Sequence, residues 1–144
     1  MSQNFATIKS ITDNVQNVLR GQGIKFSRST FDDEKSIPAS LLPLGEIYYR
    51  GEAFQYTHGQ RQGRAEADFS VKVVLQDRDF AGLIRSTQKW THSVRDALAV
   101  NVVNIGDLAV SKLVSLIIVE RVDVENKGDM AVLEFKVKIR YRET

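Results

Sequence analysis

VSLIIVERVDVENKGDMAVLEFKVKIRYRE, residues 114–143, decides the fold of this chain. In its second half Leu133, Phe135, Val137, Ile139 and Tyr141 alternate with Glu134, Lys136, Lys138, Arg140 and Arg142. Strict period two over ten residues marks a strand with one apolar and one charged face. Residues 114–125 are a second strand, and NKGD at 126–129 is the turn between them. A two-residue Lys127-Gly128 turn sets Arg121 opposite Glu134 and Val122 opposite Leu133, so the faces of the two strands agree.

Upstream, residues 78–99 carry Phe80, Leu83, Ile84, Thr87, Trp90, Thr91, Val94, Ala97 and Leu98 at helical spacing. Arg85, Lys89 and Arg95 lie on or near the other side, and Asp77 or Asp79 can cap the start. Residues 46–57 and 65–77 read as one long antiparallel hairpin, bulged at Gly51. Its tip, HGQRQGR at 58–64, has no apolar side chain. Residues 3–20 form an amphipathic helix through Phe5, Ile8, Ile11, Val15, Val18 and Leu19, stopped by Gly21 and Gly23. Between them, Ile24, Phe26 and Arg28 alternate as in a short strand, FDDEKSIPAS at 31–40 reads as an exposed loop, Pro38 and Pro43 bracket Leu41 and Leu42, and 100–113 is an ambiguous connection. The order α-β-β-β-α-(β)-β-β predicts one α+β domain over 1–144. It has a mostly antiparallel twisted sheet, two helices packed on one face, and a long projecting hairpin.

Composition excludes several functions. The chain has no cysteine, so disulfides, thiolate metal sites and cysteine nucleophiles are absent. His58 and His92 are far apart, and no zinc-binding spacing exists. The Asp32-Asp33-Glu34 run lacks the alternation and glycine hinge of a calcium loop and reads as a solvated loop. No phosphate-binding loop and no GxSxG elbow is present. No catalytic residue, metal or cofactor is expected, and the chain is read as a non-enzyme. Twenty basic and 18 acidic residues leave a net charge of +2, so any basic surface must be local. MSQNFATIKSITDN is not a secretory leader and no apolar run spans a bilayer, which predicts a soluble protein made in a cytoplasm, with no membrane partner.

Three features remain. The tip residues His58, Gln60, Arg61, Gln62 and Arg64 belong either to an ordinary loop or to an arm that reaches a neighbour. The row Lys136, Lys138, Arg140 and Arg142 is either the solvent face of a half-exposed sheet, partly neutralised by Glu134, Glu120, Asp123 and Glu125, or a surface that meets DNA or an acidic partner. Finally, Leu116 and Ile118 lie on one face of their strand while Ile117 and Val119 lie on the other. Both faces then need cover, from helices on one side and from the loop at 24–43 or another subunit on the other.

The chain resembles the tail terminator (tail completion) proteins of long-tailed phages. The likeness lies in the order of elements: the helix NFATIKSITDNVQNVL, the hairpin EIYYRGEAFQYTHGQRQGRAEADFSVKVVLQ, the helix DFAGLIRSTQKWTHSVRDAL and the closing hairpin with its F-x-V-x-I-R-Y-R run. Head completion and other neck or connector proteins share that order. The resemblance implies a structural virion protein, assembled in the host cytoplasm into a homo-oligomeric ring of six copies. Such a ring caps the tail tube, ends its polymerisation and joins the tail to the head connector. Genomic DNA passes through its lumen without sequence-specific binding. The expected partners are therefore the chain itself, the tail tube protein, the head–tail connector protein and passing DNA. The family carries no catalytic residues. A small nucleic-acid-binding module using the basic strand face is the alternative.

Overall fold

Two helices and a five-stranded, mostly antiparallel sheet make an α+β fold, seen in a computed structural model that describes residues 4–27, 37–55, 63–100 and 114–142. The elements are α1 (Asn4–Gly21), β1 (Lys25–Phe26), β2 (Leu44–Gln55), β3 (Arg64–Gln76), α2 (Phe80–Val100), β4 (Val114–Lys127) and β5 (Met130–Arg142). A single 3-10 turn, Ala39–Leu41, precedes β2. The strand order is β1-β2-β3-β5-β4, with only β1 and β2 parallel. After β3 the chain crosses over through α2 to β4, and β5 returns between β3 and β4. Arg28, the Asp32-Asp33-Glu34 run and the ambiguous segment 101–113 lie outside the described residues.

Period two sorts the sheet into two faces. Ile47, Val71, Phe135 and Val122 form one row across the four long strands, and Tyr49, Phe69, Val137 and Val119 form the next. Both helices cover this face. Ile11, Val15 and Leu19 of α1 and Leu83, Val94 and Leu98 of α2 share one core with the odd-numbered residues of β3 and β5. Each large side chain buried there contributes about 1.5–3 kcal/mol. The opposite face has a small core of its own at one end, where Ile37, Leu41 and Leu42 pack on Leu44, Val74, Met130 and Val132.

Some expected placements shift. Phe5, Phe80 and Ile84 are exposed. The buried stripe of α2 runs through Leu83, Thr87, Val94 and Leu98, and Ile84 lies about 70° around the helix from its centre. The closing turn is Gly128-Asp129, with Lys127 paired to Met130, because Gly128 takes the left-handed backbone (φ +66°). Asp123 therefore faces Glu134, and Val124 faces Leu133. A slip of two residues preserves parity, so the faces are as expected although the partners are not. The loop before β2 covers the Val74 and Val132 end of the second face, not Leu116 and Ile118.

The long hairpin forms over β2 and β3, with its bulge at Arg50 between Tyr49 and Gly51 (φ +116°). β5 pairs with β3 along its whole length, from Gln76↔Met130 to Arg64↔Arg142. β4 also departs from regular pairing, at Ser115 and at Glu120.

Candidate functional site

The face of the sheet turned away from the helices holds the whole predicted basic row. Lys136, Lys138, Arg140 and Arg142 all project there, since β5 alternates strictly and their neighbours Phe135, Val137, Ile139 and Tyr141 are buried. Glu120, one of the acids expected to neutralise them, pairs with Lys138; the acids of β3 were not foreseen. β3 sets Glu66 directly opposite Arg140, and Asp68 opposite Lys138. Arg140 donates to Glu66 Oε2 at 3.0 Å, and Lys138 lies 3.5 Å from Glu66 Oε1 and 3.3 Å from Glu120 Oε1. On β4, Arg121 pairs with Asp123 at 2.7 Å. Glu66 is held below the ordinary carboxylate range, chiefly by the hydrogen bond from Arg140. Lys138 is raised, chiefly by its hydrogen bond to Glu120. The row is therefore interlaced with carboxylates, not a continuous cationic strip.

Two members of the row differ. Among the described residues Lys136 and Arg142 enter no ion pair. Arg142 is the cross-strand partner of Arg64, so one residue from each predicted set meets the other at the outer end of the sheet. Like charges directly opposite repel, and both side chains are exposed to water. His58, Gln60, Arg61 and Gln62, the rest of the predicted hairpin set, lie outside the described residues.

Residues absent from the sequence reading complete the face. Arg50 reaches it because a bulge adds one residue to β2 at that point. Its Nε donates to the hydroxyl of Ser70, 3.0 Å away, and its guanidinium lies over the Tyr48 ring, 5.0 Å from the centroid. Ser70 is buried and its hydroxyl sits 3.5 Å from Glu134 Oε1. Together with Asp68, Glu120, Lys136 and Lys138 these groups line an open depression of ≈ 350 Å³. The period-two acids Glu66 and Asp68 were readable in sequence; the bulges that bring in Arg50 and Glu120 were not.

The other surface chemistry is sparse. His92 is exposed on α2 and Ser93 is half-buried. Among the described residues no three His, Asp or Glu side chains gather to hold a metal ion, and no helix is long and apolar enough to cross a membrane. No known protein-family model matches the chain, and no curated protein matches its sequence.

The two borders of the sheet are unlike one another. Among the described residues β4 is unpaired along its outer edge, and β1 covers only Leu44 and Gly45 of β2. Beside the β4 edge, on the charged face, Leu116 is half-buried and Ile118 is 41% exposed. Beside the β2 edge stand Tyr48, Tyr49 and Phe54, all exposed.

Proposed function

We propose that this chain is a structural ring subunit of a long-tailed phage tail or neck, capping the tail tube and joining it to the head connector. The observation that carries this reading is the pair of dissimilar sheet borders, open among the described residues and each flanked by exposed apolar side chains. Dissimilar surfaces on one subunit suit head-to-tail contacts, which close into a ring where the rotation allows and so stop growth. Exposed strand edges and apolar residues are also what an isolated domain tends to avoid. The balanced charge of the sheet face supports a wall that lets DNA pass rather than one that grips it. Head completion or another neck position is compatible with the same features.

Light scattering over a concentration series, followed by negative-stain imaging with tail tubes, tests the proposal. A hexamer, or a monomer that becomes a ring on tube ends, supports it. Removing residues 58–62 should leave a folded protein that assembles or docks poorly; an unchanged ring that completes tails removes the tip from the assembly surface. A chain that stays monomeric, ignores tubes and binds DNA with a steep salt dependence replaces this proposal with the nucleic-acid module.

A further inference from the structure

The bulges of the two outer strands stand at the same level of the sheet. In β2 the extra residue is Arg50, between Tyr49, paired with Phe69, and Gly51, paired with Asp68. In β4 it is Glu120, between Val119, paired with Val137, and Arg121, paired with Lys136. Phe69 and Val137 are partners of each other. The extra residues thus flank one row of the central strands from opposite sides, and both line the same depression. Bulges re-aim side chains and are concentrated beside functional sites.

Within that depression the cations divide into two kinds. Lys138 is claimed by Glu66 and Glu120. Arg50 and Lys136 are in no ion pair among the described residues. They nevertheless converge, because Lys136 is the cross-strand partner of Ser70 and Arg50 Nε is bonded to the Ser70 hydroxyl. Ser70 is 4% exposed, and Tyr48 lies against the guanidinium, so the Arg50 fork is held by two contacts with its terminal N–H groups left over. Polar side chains with donors to spare, fixed around a concavity, are the parts of an anion site.

We propose that Arg50 and Lys136 bind one small oxyanion, of the phosphate or carboxylate class, above the Ser70 hydroxyl. The rim sets the limit on size. Asp68, Glu120 and Glu134 line the same depression, so a chain of successive phosphates would run from the two cations onto carboxylates. A single anionic group meets only Glu134 of the three at close range, whose Oε1 lies 3.5 Å from the Ser70 hydroxyl. This site is independent of ring formation and does not depend on the proposed function.

The test is a titration of the full ¹⁵N-labelled chain with inorganic phosphate, and separately with acetate, at ionic strength matched with sodium chloride. The amides of Ser70 and Lys136 and the Arg50 Nε–H should shift saturably with at least one anion, and which anion does so separates the two classes. Arg50→Gln and Lys136→Met, both exposed and so expected to keep the spectrum of a folded chain, should each weaken binding by about tenfold, the worth of one charge-assisted hydrogen bond. Shifts that follow chloride equally, or that survive both substitutions, overturn the site. So does duplex DNA that perturbs the same amides more tightly than phosphate.

Discussion

Tyr141 donates its phenol hydrogen to Glu52 across the whole width of β3, joining β5 to β2 on the helix side of the sheet. The contact is possible because β3 carries only alanines there. Glu52 is paired with Ala67, and Tyr141 with Ala65. Tyr49 donates to the other oxygen of the same carboxylate at 2.5 Å. One charged group thus ties the outer ends of β2 and β5 together across β3, where Tyr141 is fully buried. Tyr141→Phe should cost about 1.5–3 kcal/mol, the value of a hydrogen bond to a charged acceptor. Ala67→Leu should cost about 1–3 kcal/mol by filling the space the contact needs. Urea midpoints measure both, and a double-mutant cycle with Glu52→Gln should show coupling. Additive losses would mean that the two groups do not act together.

The two neighbouring tyrosines of β2 make a titration test. Tyr48 and Tyr49 are both pushed up to about 12 from the ordinary 10.0, Tyr48 chiefly by its hydrogen bond to Glu46 and Tyr49 chiefly by burial. A phenol raised in the folded state stabilises the fold below its ordinary value, and that contribution is lost as pH climbs through the raised one. Followed by tyrosinate absorbance, Glu46→Gln should return Tyr48 most of the way toward 10.0, while Glu52→Gln should move Tyr49 less. The reverse order would show that the carboxylate, not burial, governs Tyr49.

Gly45 is set by a close approach. A Cβ at that position would meet Ile24 Cγ2 at 2.7 Å and Phe26 Cζ at 2.7 Å, since β1 runs alongside the start of β2 with Phe26 paired to Gly45. Gly45→Ala should therefore destabilise by about 1–3 kcal/mol through overpacking, read from the thermal or urea midpoint. A neutral result would show that β1 can move aside freely.

The architecture was legible because period two and period 3.6 survive small errors of register. The closing hairpin was misplaced by two residues, yet every residue of β5 fell on its correct face. Faces alone do not give neighbours. Of the acids expected to neutralise Lys136 to Arg142, Glu120 does pair with Lys138, but Glu66 of β3 was not foreseen, since it lies some 70 positions away in sequence: Glu66 and Arg140 are 74 apart. Arg50 and Glu120 depend on bulges, which add a residue without a strong local signal. Phe80 and Ile84 fitted a helical stripe in spacing but sit at its start and its flank, where packing rather than period decides burial.

Neutralisation of the charged face can be reversed. Glu66→Gln with Glu120→Gln would free Lys138 and Arg140 from their carboxylates. Duplex DNA should then bind more tightly, with a salt slope steeper by about 2 for two added phosphate contacts. Stability should change with pH in the same sense. Glu66 lies below its ordinary range, so its contribution is present above that range and lost as pH falls through the lowered value. Lys138 is raised, so its contribution is present below the ordinary lysine range and lost as pH rises through the raised value. Glu66→Gln should flatten the acid limb of a urea midpoint-versus-pH curve. DNA binding unchanged by both substitutions would mean that the acids do not mask the cations.

The uncovered apolar pair on β4 separates folding from assembly. Ile118 is 41% exposed beside an open strand edge, and its cross-strand partner is Lys138, itself held by Glu66 and Glu120. A glutamate at 118 would give up only the partly covered surface of a 41% exposed side chain and would stand next to a cation. Ile118→Glu should therefore leave the urea midpoint within about 0.5 kcal/mol of the parent, as for other surface changes. At a subunit boundary the same carboxylate would have to shed its water against a neighbouring chain, a cost of several kcal/mol unless a cation meets it there. If the parent assembles as proposed, light scattering should then show a folded monomer of Ile118→Glu at the same concentrations, while the charge reversal Arg85→Glu at an exposed position of α2 leaves the assembled mass unchanged. If Ile118→Glu assembles as the parent does, the β4 edge is not a contact of the proposed ring, and the proposed subunit contacts must be sought along β2.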